Sequence, residues 1–222
     1  MAIAGAIIYD PVSQKVFTFN GHSKDSTVFD AVSGKVVRTI PLGGKPEFAA
    51  TDGQGKIYVN IEDTNEAVEI DSLKTLITRR FSLSPCEEPT GMGLDSEHGR
   101  LFSGCHNKIM TISDTTAGKV IATVTIGENV DGNGFDAGTG LAFSSNGDGT
   151  LTVVHESSPV NFEAVETVAT QRGSRTMAID PKTHNIYLPA AQFSKPKEST
   201  QAGTKPRPVM VKGSFEILVV GK

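Results

Sequence analysis

Acidic residues and histidines recur at fixed places along this chain. Five residues before Asp10, Asp52, Asp95, Asp136 and Asp180 stand Gly5, Glu47, Thr90, Asp131 and Arg175. Two residues further back, the last four of these units carry Lys45, Glu88, Asn129 and Gly173. A second column, from polar turns, reads Gly21, Glu62, His106 and Asn146, with His22, Asp63, Asn107 and Asp148 beside it. A fold that brings these columns to one surface gathers Glu47, Glu62, Glu87, Glu88, Asp131, His22 and His106. Crowded carboxylates repel one another unless one is protonated or a cation bridges them. Glu47, Glu62, Glu88, His22 and His106 are the candidate metal ligands. A carboxylate–imidazole set suits Zn²⁺ or Mn²⁺, whereas carboxylates with Asn146 suit Ca²⁺. An ion with an open position polarises an ester or phosphoryl oxygen, or lowers the pKa of bound water towards about 7. Asp131 is then the candidate general base, and Arg175, with Arg172, the candidate partner of an anionic substrate. The plainer alternative is an acidic, solvated rim. Cys86 and Cys105 are expected as free thiols, the alternatives being a disulfide or Cys105 beside His106 as a soft ligand.

A repeat is what must position these columns. The apolar run ending in aspartate recurs as AIIYD, FAATD, GMGLD, GNGFD and TMAID, at spacings of 41 to 44 residues. A polar turn and a β-rich run follow each: KVFTFN, KIYVNI, RLFSGC, LAFSSN and NIYLPA. Third runs read STVFD, EAVEID, KIMTISD, TLTVVHE and FEILVV, and fourth runs VVRTIPL, LITRRFSL, VIATVTI and AVETVAT. Helical spacing is not sustained across the central repeat, Gly91 to Asn133. Four short strands in a unit of 40 to 45 residues are the mark of a β-propeller blade. The expectation is an all-β propeller of five four-stranded blades in one domain, 1–222. Blade repeats run approximately 3–46, 47–89, 90–130, 131–174 and 175–222, the last lacking its outer strand. In a propeller the innermost strand starts beside the central channel, and the turn after the second strand opens on the same face. The columns are therefore expected to meet at the channel mouth. The unpaired outer edge of the last blade is expected to pair with a second copy, giving a homo-oligomer, or else to be protected in some other way. The Pro-, Lys- and Ser-rich stretch Ala191 to Gly213 is expected as a solvated loop.

These phrases resemble the YVTN/YncE-type family of β-propeller proteins. The resemblance rests on IIYDPVSQKVFTFNGHSKDSTVFDAVSGKVVRTIPLGGKPE, KIYVNIEDTNEAVEID, CEEPTGMGLD, RLFSGCHNK, FSSNGDGTLTVVHE and QRGSRTMAIDPKTHNIYL. It covers essentially the whole chain. Family members typically have seven blades, and this chain looks like the last five. The resemblance implies a protein often exported, with no single agreed reaction. One member type is associated with single-stranded DNA, others with surface layers. By fold analogy alone, related calcium-dependent lactonases and organophosphate hydrolases hold a metal at the channel mouth.

Composition narrows the classes. With 37% hydrophobic and 21% charged residues, the 222-residue chain is expected to fold rather than remain disordered. A net charge of −4 and 6% aromatic content disfavour nucleic acid, which needs a basic groove with stacking rings. No apolar run is long enough to cross a membrane as a helix. The opening MAIAGAIIYD has neither the basic region nor the cleavage site of a signal peptide. Gly-x-Ser-x-Gly is absent, which argues against a serine hydrolase of that type. The reading preferred is a metal-dependent hydrolase of lactone, ester or phosphoester small-molecule substrates. The alternative is a non-catalytic propeller that binds protein, polysaccharide or, by family analogy, single-stranded DNA.

Overall fold

The computed structural model describes residues 4–194 and 208–221. Its first sheet is β1 (Ala4–Asp10), β2 (Lys15–Asn20), β3 (Asp25–Asp30) and β4 (Val36–Pro41). The second is β5 (Pro46–Thr51), β6 (Lys56–Ile61), β7 (Glu66–Asp71) and β8 (Leu76–Ser82). The third is β9 (Pro89–Asp95), β10 (Arg100–Cys105), β11 (Ile109–Asp114) and β12 (Lys119–Thr125). The fourth is β13 (Val130–Asp136), β14 (Leu141–Asn146), β15 (Thr150–Ser158) and β16 (Asn161–Ala169). The fifth has only β17 (Ala178–Ile179), β18 (Ile186–Ala190) and β19 (Glu216–Val220). Every sheet is an antiparallel meander in chain order, four of four strands and one of three. The chain is an all-β, five-bladed propeller.

The aspartates recur because each closes the turn after an innermost strand. Asp52 Oδ1 accepts from the backbone N–H of Gln54 (2.8 Å) and Lys56 (2.9 Å), and Asp180 Oδ1 from that of Lys182 (3.0 Å). An aspartate side chain bonding the backbone just ahead of it is the standard way to hold such a turn. Asp10 also ties blade 1 to blade 2. It accepts from Ser13 N–H (2.8 Å) and from the hydroxyls of Ser72 (2.8 Å) and Thr51 (3.0 Å).

Alternation puts apolar side chains between blades. Phe17, Phe19, Val28 and Ile40 of blade 1 pack on Ile57, Val59, Val68 and Ile70 of blade 2. Equivalent clusters join blades 2 and 3, 3 and 4, and 4 and 5. A fully buried side chain of this size contributes about 1.5–3 kcal/mol, so no blade is stable without its neighbours. Innermost strands pack β1 on β5, β5 on β9, β9 on β13 and β13 on β17. Among the described residues no comparable packing returns from β17 to β1. Ile7 and Tyr9 of β1, and Ile217 and Val219 of β19, are exposed accordingly. The innermost strands of blades 3 and 4 approach closely through glycine. A Cβ on Gly93 would lie 2.8 Å from the Gly134 carbonyl carbon. The expected loop Ala191 to Gly213 falls partly outside the described residues; its flanks are joined by a bridge between Phe193 and Met210.

Candidate functional site

The two columns share a face, and the backbone shows why. The turn after each second strand is bonded to the segment leading into the first strand. Glu62 N–H donates to Lys45 C=O (2.8 Å), His106 N–H to Glu87 C=O (2.9 Å) and Gly147 N–H to Asn129 C=O (3.0 Å). Equivalent positions in three blades thus lie on the face where the innermost strands begin. Which side chains then touch is a local matter, and they divide into three sets.

In the first set, Lys45 Nζ lies 2.7 Å from Glu47 Oε1 and also bonds Glu62. Burial disfavours the Lys45 charge, but the hydrogen bonds and charges of Glu47 and Glu62 outweigh it and raise its pKa. An ammonium thus stands between two expected metal ligands. His22 lines the same cleft with Lys24, Lys45 and Glu47. Lys24 is engaged by Asp63 at 2.6 Å. Its hydrogen bond and that of Lys45 N–H, against a smaller opposing burial, hold Asp63 below the usual carboxylate range.

In the second set, ligating atoms of Glu62, Glu88 and His106 lie within 4.8 Å of one another. Glu88 Oε2 is 2.7 Å from His106 Nδ1. Glu62 is the most shielded of the three, with a side chain 17% exposed against 62% for Glu88 and 37% for His106. It opens a 3₁₀ turn (Glu62–Thr64). Glu88 has a φ of 49°, a left-handed backbone that costs a non-glycine residue roughly 1–2 kcal/mol. Asn129 (56°) and Gly173 (87°) hold the same repeat position with positive φ. Lys45, at that position in blade 2, has no positive φ, so the bend belongs to blades 3, 4 and 5, and blade 3 places a carboxylate on it. Asn65 Oδ1 accepts the Glu88 N–H at 2.9 Å.

Cys86 and Cys105 form a disulfide, and no free cysteine remains. The expectation of free thiols, and of Cys105 as a soft ligand, is corrected. Cys105 ends β10 opposite Pro89, so Cys86 comes back across the hairpin to meet it. The bridge fixes the 83–88 segment beside the turn that carries His106. Asn107 adds two bonds to that segment, accepting from Glu87 N–H (3.2 Å) and donating to Pro85 C=O (2.8 Å).

In the third set, Asp131 Oδ2 is 3.8 Å from Arg175 Nε and accepts from the Thr176 hydroxyl at 3.3 Å. Among the described residues Arg172 forms no salt bridge. The structure thus brings Glu62, Glu88 and His106 together, joins Glu47 to them only through Lys45 and Glu62, and leaves His22 and Asp131 apart. Sequence reasoning missed Lys45 as the cation at the mouth, although Lys45 stands in the column it read.

The comparisons add fold and nothing finer. No family model matches the chain, and no curated protein matches it by sequence. Among solved structures, hydrazine synthase from Kuenenia stuttgartiensis superimposes with a TM-score of 0.75 at 14% identity. The match covers 98% of this chain and 66% of that one, so the chain spans a little under two thirds of its length. Likeness at that identity establishes the propeller alone.

Proposed function

We propose that the protein is a metal-dependent hydrolase of lactone, ester or phosphoester substrates, acting at the channel mouth. The carrying observation is the convergence of Glu62, Glu88 and His106 within 4.8 Å, from two blades, on the face where the innermost strands begin. Two carboxylates and an imidazole match the donors of a catalytic Zn²⁺ or Mn²⁺ site that keeps one position open. A divalent ion bound there supplies a Lewis acid for the carbonyl or phosphoryl oxygen and a more acidic water. Asp131, the candidate general base, stands apart from these three beside Arg175 and Thr176, so it serves only a substrate that spans both sets. Arg175, which is half exposed, exchanges its long contact with Asp131 for an anionic substrate group. We place the chain by resemblance in the YVTN/YncE-type family, on the blade phrases alone.

A second reading has an observation of its own. Lys45 already bridges Glu47 and Glu62 and offsets one of their two charges, so those two carboxylates need no metal to hold them together. That favours a non-catalytic propeller whose polar face binds a protein or polysaccharide.

One variant separates the two readings. Glu88→Gly removes a ligand and also relieves the positive φ. Under the hydrolase reading the chain binds Zn²⁺ or Mn²⁺, hydrolyses generic esters or phosphotriesters, and loses hydrolysis to a chelator. Glu88→Gly and His106→Ala then lose activity, while the melting temperature of Glu88→Gly holds or rises. No hydrolysis by the metal-loaded chain, or equal hydrolysis in both variants, refutes the reading.

A further inference from the structure

The opposite face carries a second cluster, built by other parts of blades 3 and 4. Asp95 ends β9, far along the strand from Glu88, and is almost fully buried. Its Oδ1 accepts from the N–H of Glu97 (3.0 Å) and His98 (3.3 Å), and its Oδ2 lies 2.6 Å from His98 Nδ1. Glu156 comes from β15, whose nine residues exceed the six of β3, β7 and β11. The extra length makes a hairpin overhang, and Glu156 pairs with Phe162 within it. Ligating atoms of Asp95, His98 and Glu156 fall within 4.8 Å of one another.

Two further observations point to a ligand. Glu156 Oε2 is buried, with no hydrogen-bond partner among the described residues. A buried oxygen left without a partner is costly, more so on a charged group. The cluster also opens into a cleft of about 260 Å³ walled by Phe135, Ala137, Gly140 and the hairpin residues Ser157 and Pro159. Arg100 bonds Asp114 Oδ2 (2.9 Å) and Gly99 C=O (3.3 Å) through one terminal nitrogen, while its Nε, like Glu156 Oε2, is buried without a partner.

We propose that Asp95, His98 and Glu156 form a divalent-metal site, suited to Zn²⁺, that clamps the β9–β10 turn of blade 3 to the β15–β16 hairpin of blade 4. The site is separate from the channel mouth and does not depend on the hydrolase reading. One imidazole and two carboxylates are a Zn²⁺ donor set. The ion satisfies the orphan oxygen and cancels the Asp95–Glu156 repulsion. Binding to the folded chain alone stabilises that chain by mass action.

The test uses the full chain stripped of metal and titrated calorimetrically with ZnCl₂. A parent carrying Glu88→Gly and His106→Ala removes the mouth donors. It is expected to take up one Zn²⁺ per chain and to melt at a higher temperature when loaded. Adding Glu156→Gln, which keeps shape, or separately His98→Gln, weakens that uptake at least about tenfold, as loss of a metal-site group does. Glu156→Gln also abolishes the zinc-dependent shift in melting temperature. A parent that binds no Zn²⁺ overturns the proposal. Equal titrations with and without Glu156→Gln overturn it too. Failure of the hydrolase reading would show in the mouth variants alone and leave this result intact.

Discussion

Replacing both cysteines by alanine tests how the site in blade 3 is held. Cys86 and Cys105 are separated by 19 residues, and both are buried. Closing a loop of that size removes chain entropy from the unfolded state worth about 3 kcal/mol. For a chain of 222 residues, that loss lowers the melting temperature by about 6–12 °C, at about 2–4 °C per kcal/mol. Alanine is preferred to serine because a buried hydroxyl without a partner would add its own cost. The assay is thermal unfolding by circular dichroism without reductant, comparing the variant with oxidised wild type and with wild type in excess dithiothreitol. The variant and the reduced wild type should melt close together, both well below the oxidised chain. Zn²⁺ uptake at Glu62, Glu88 and His106 should weaken as well, since the bridged segment carries Glu88. A variant melting within about 2 °C of oxidised wild type would put the covalent link below about 1 kcal/mol and refute the reasoning. So would a reduced wild type that melts like the oxidised one.

Two further perturbations probe the frame. Gly93→Ala forces a Cβ against the Gly134 backbone at 2.8 Å, and backbone cannot yield as a side-chain tip does. A loss of about 1–3 kcal/mol is expected, read from the urea midpoint, and an unchanged midpoint would mean that blades 3 and 4 pack less closely. Asp10→Asn weakens the bonds from Ser13, Ser72 and Thr51 to a buried carboxylate and should cost about 1–3 kcal/mol at neutral pH. Burial opposes the Asp10 charge, but those bonds prevail and hold its pKa below the ordinary value. Its stabilisation is therefore complete above about pH 4 and is lost as pH falls through the depressed folded value. The gap between wild type and Asp10→Asn should narrow on acidification, and a constant gap down to acid unfolding would contradict this.

The fold was legible because one device repeats. An aspartate that closes a turn must sit at the end of every innermost strand, so its spacing measures the blade directly. The strand phrases then follow from alternation, and the missing outer strand of blade 5 from the absence of a fourth phrase. The face shared by Glu62, His106 and Asn146 was legible for the same reason, since a meander returns each second strand to the start of the first. Repeat position fixes height along the channel axis. It says less about position around the axis, where successive blades are rotated apart. Glu62 reaches Glu88 and His106 because their blades are neighbours. Asp131, a further blade on, meets Arg175 of the next blade instead.

The same limit explains the residues that were missed. Lys45 is flexible, and its place between Glu47 and Glu62 is set by charge, which a column of residue types does not rank. Asp95 reads as one more turn aspartate, so its burial against His98 has no separate signature. Glu156 lies in a strand phrase whose alternation looks ordinary until β15 is seen to overrun its counterparts by three residues. That overrun was visible as the extra length of LTVVHESSPVNFEAVETVAT. In a repeat protein, a departure from the period is where a unit has acquired something its neighbours lack. Here the departure is a hairpin that reaches back over blade 3 and ends with a carboxylate oxygen buried and unsatisfied beside an aspartate and a histidine.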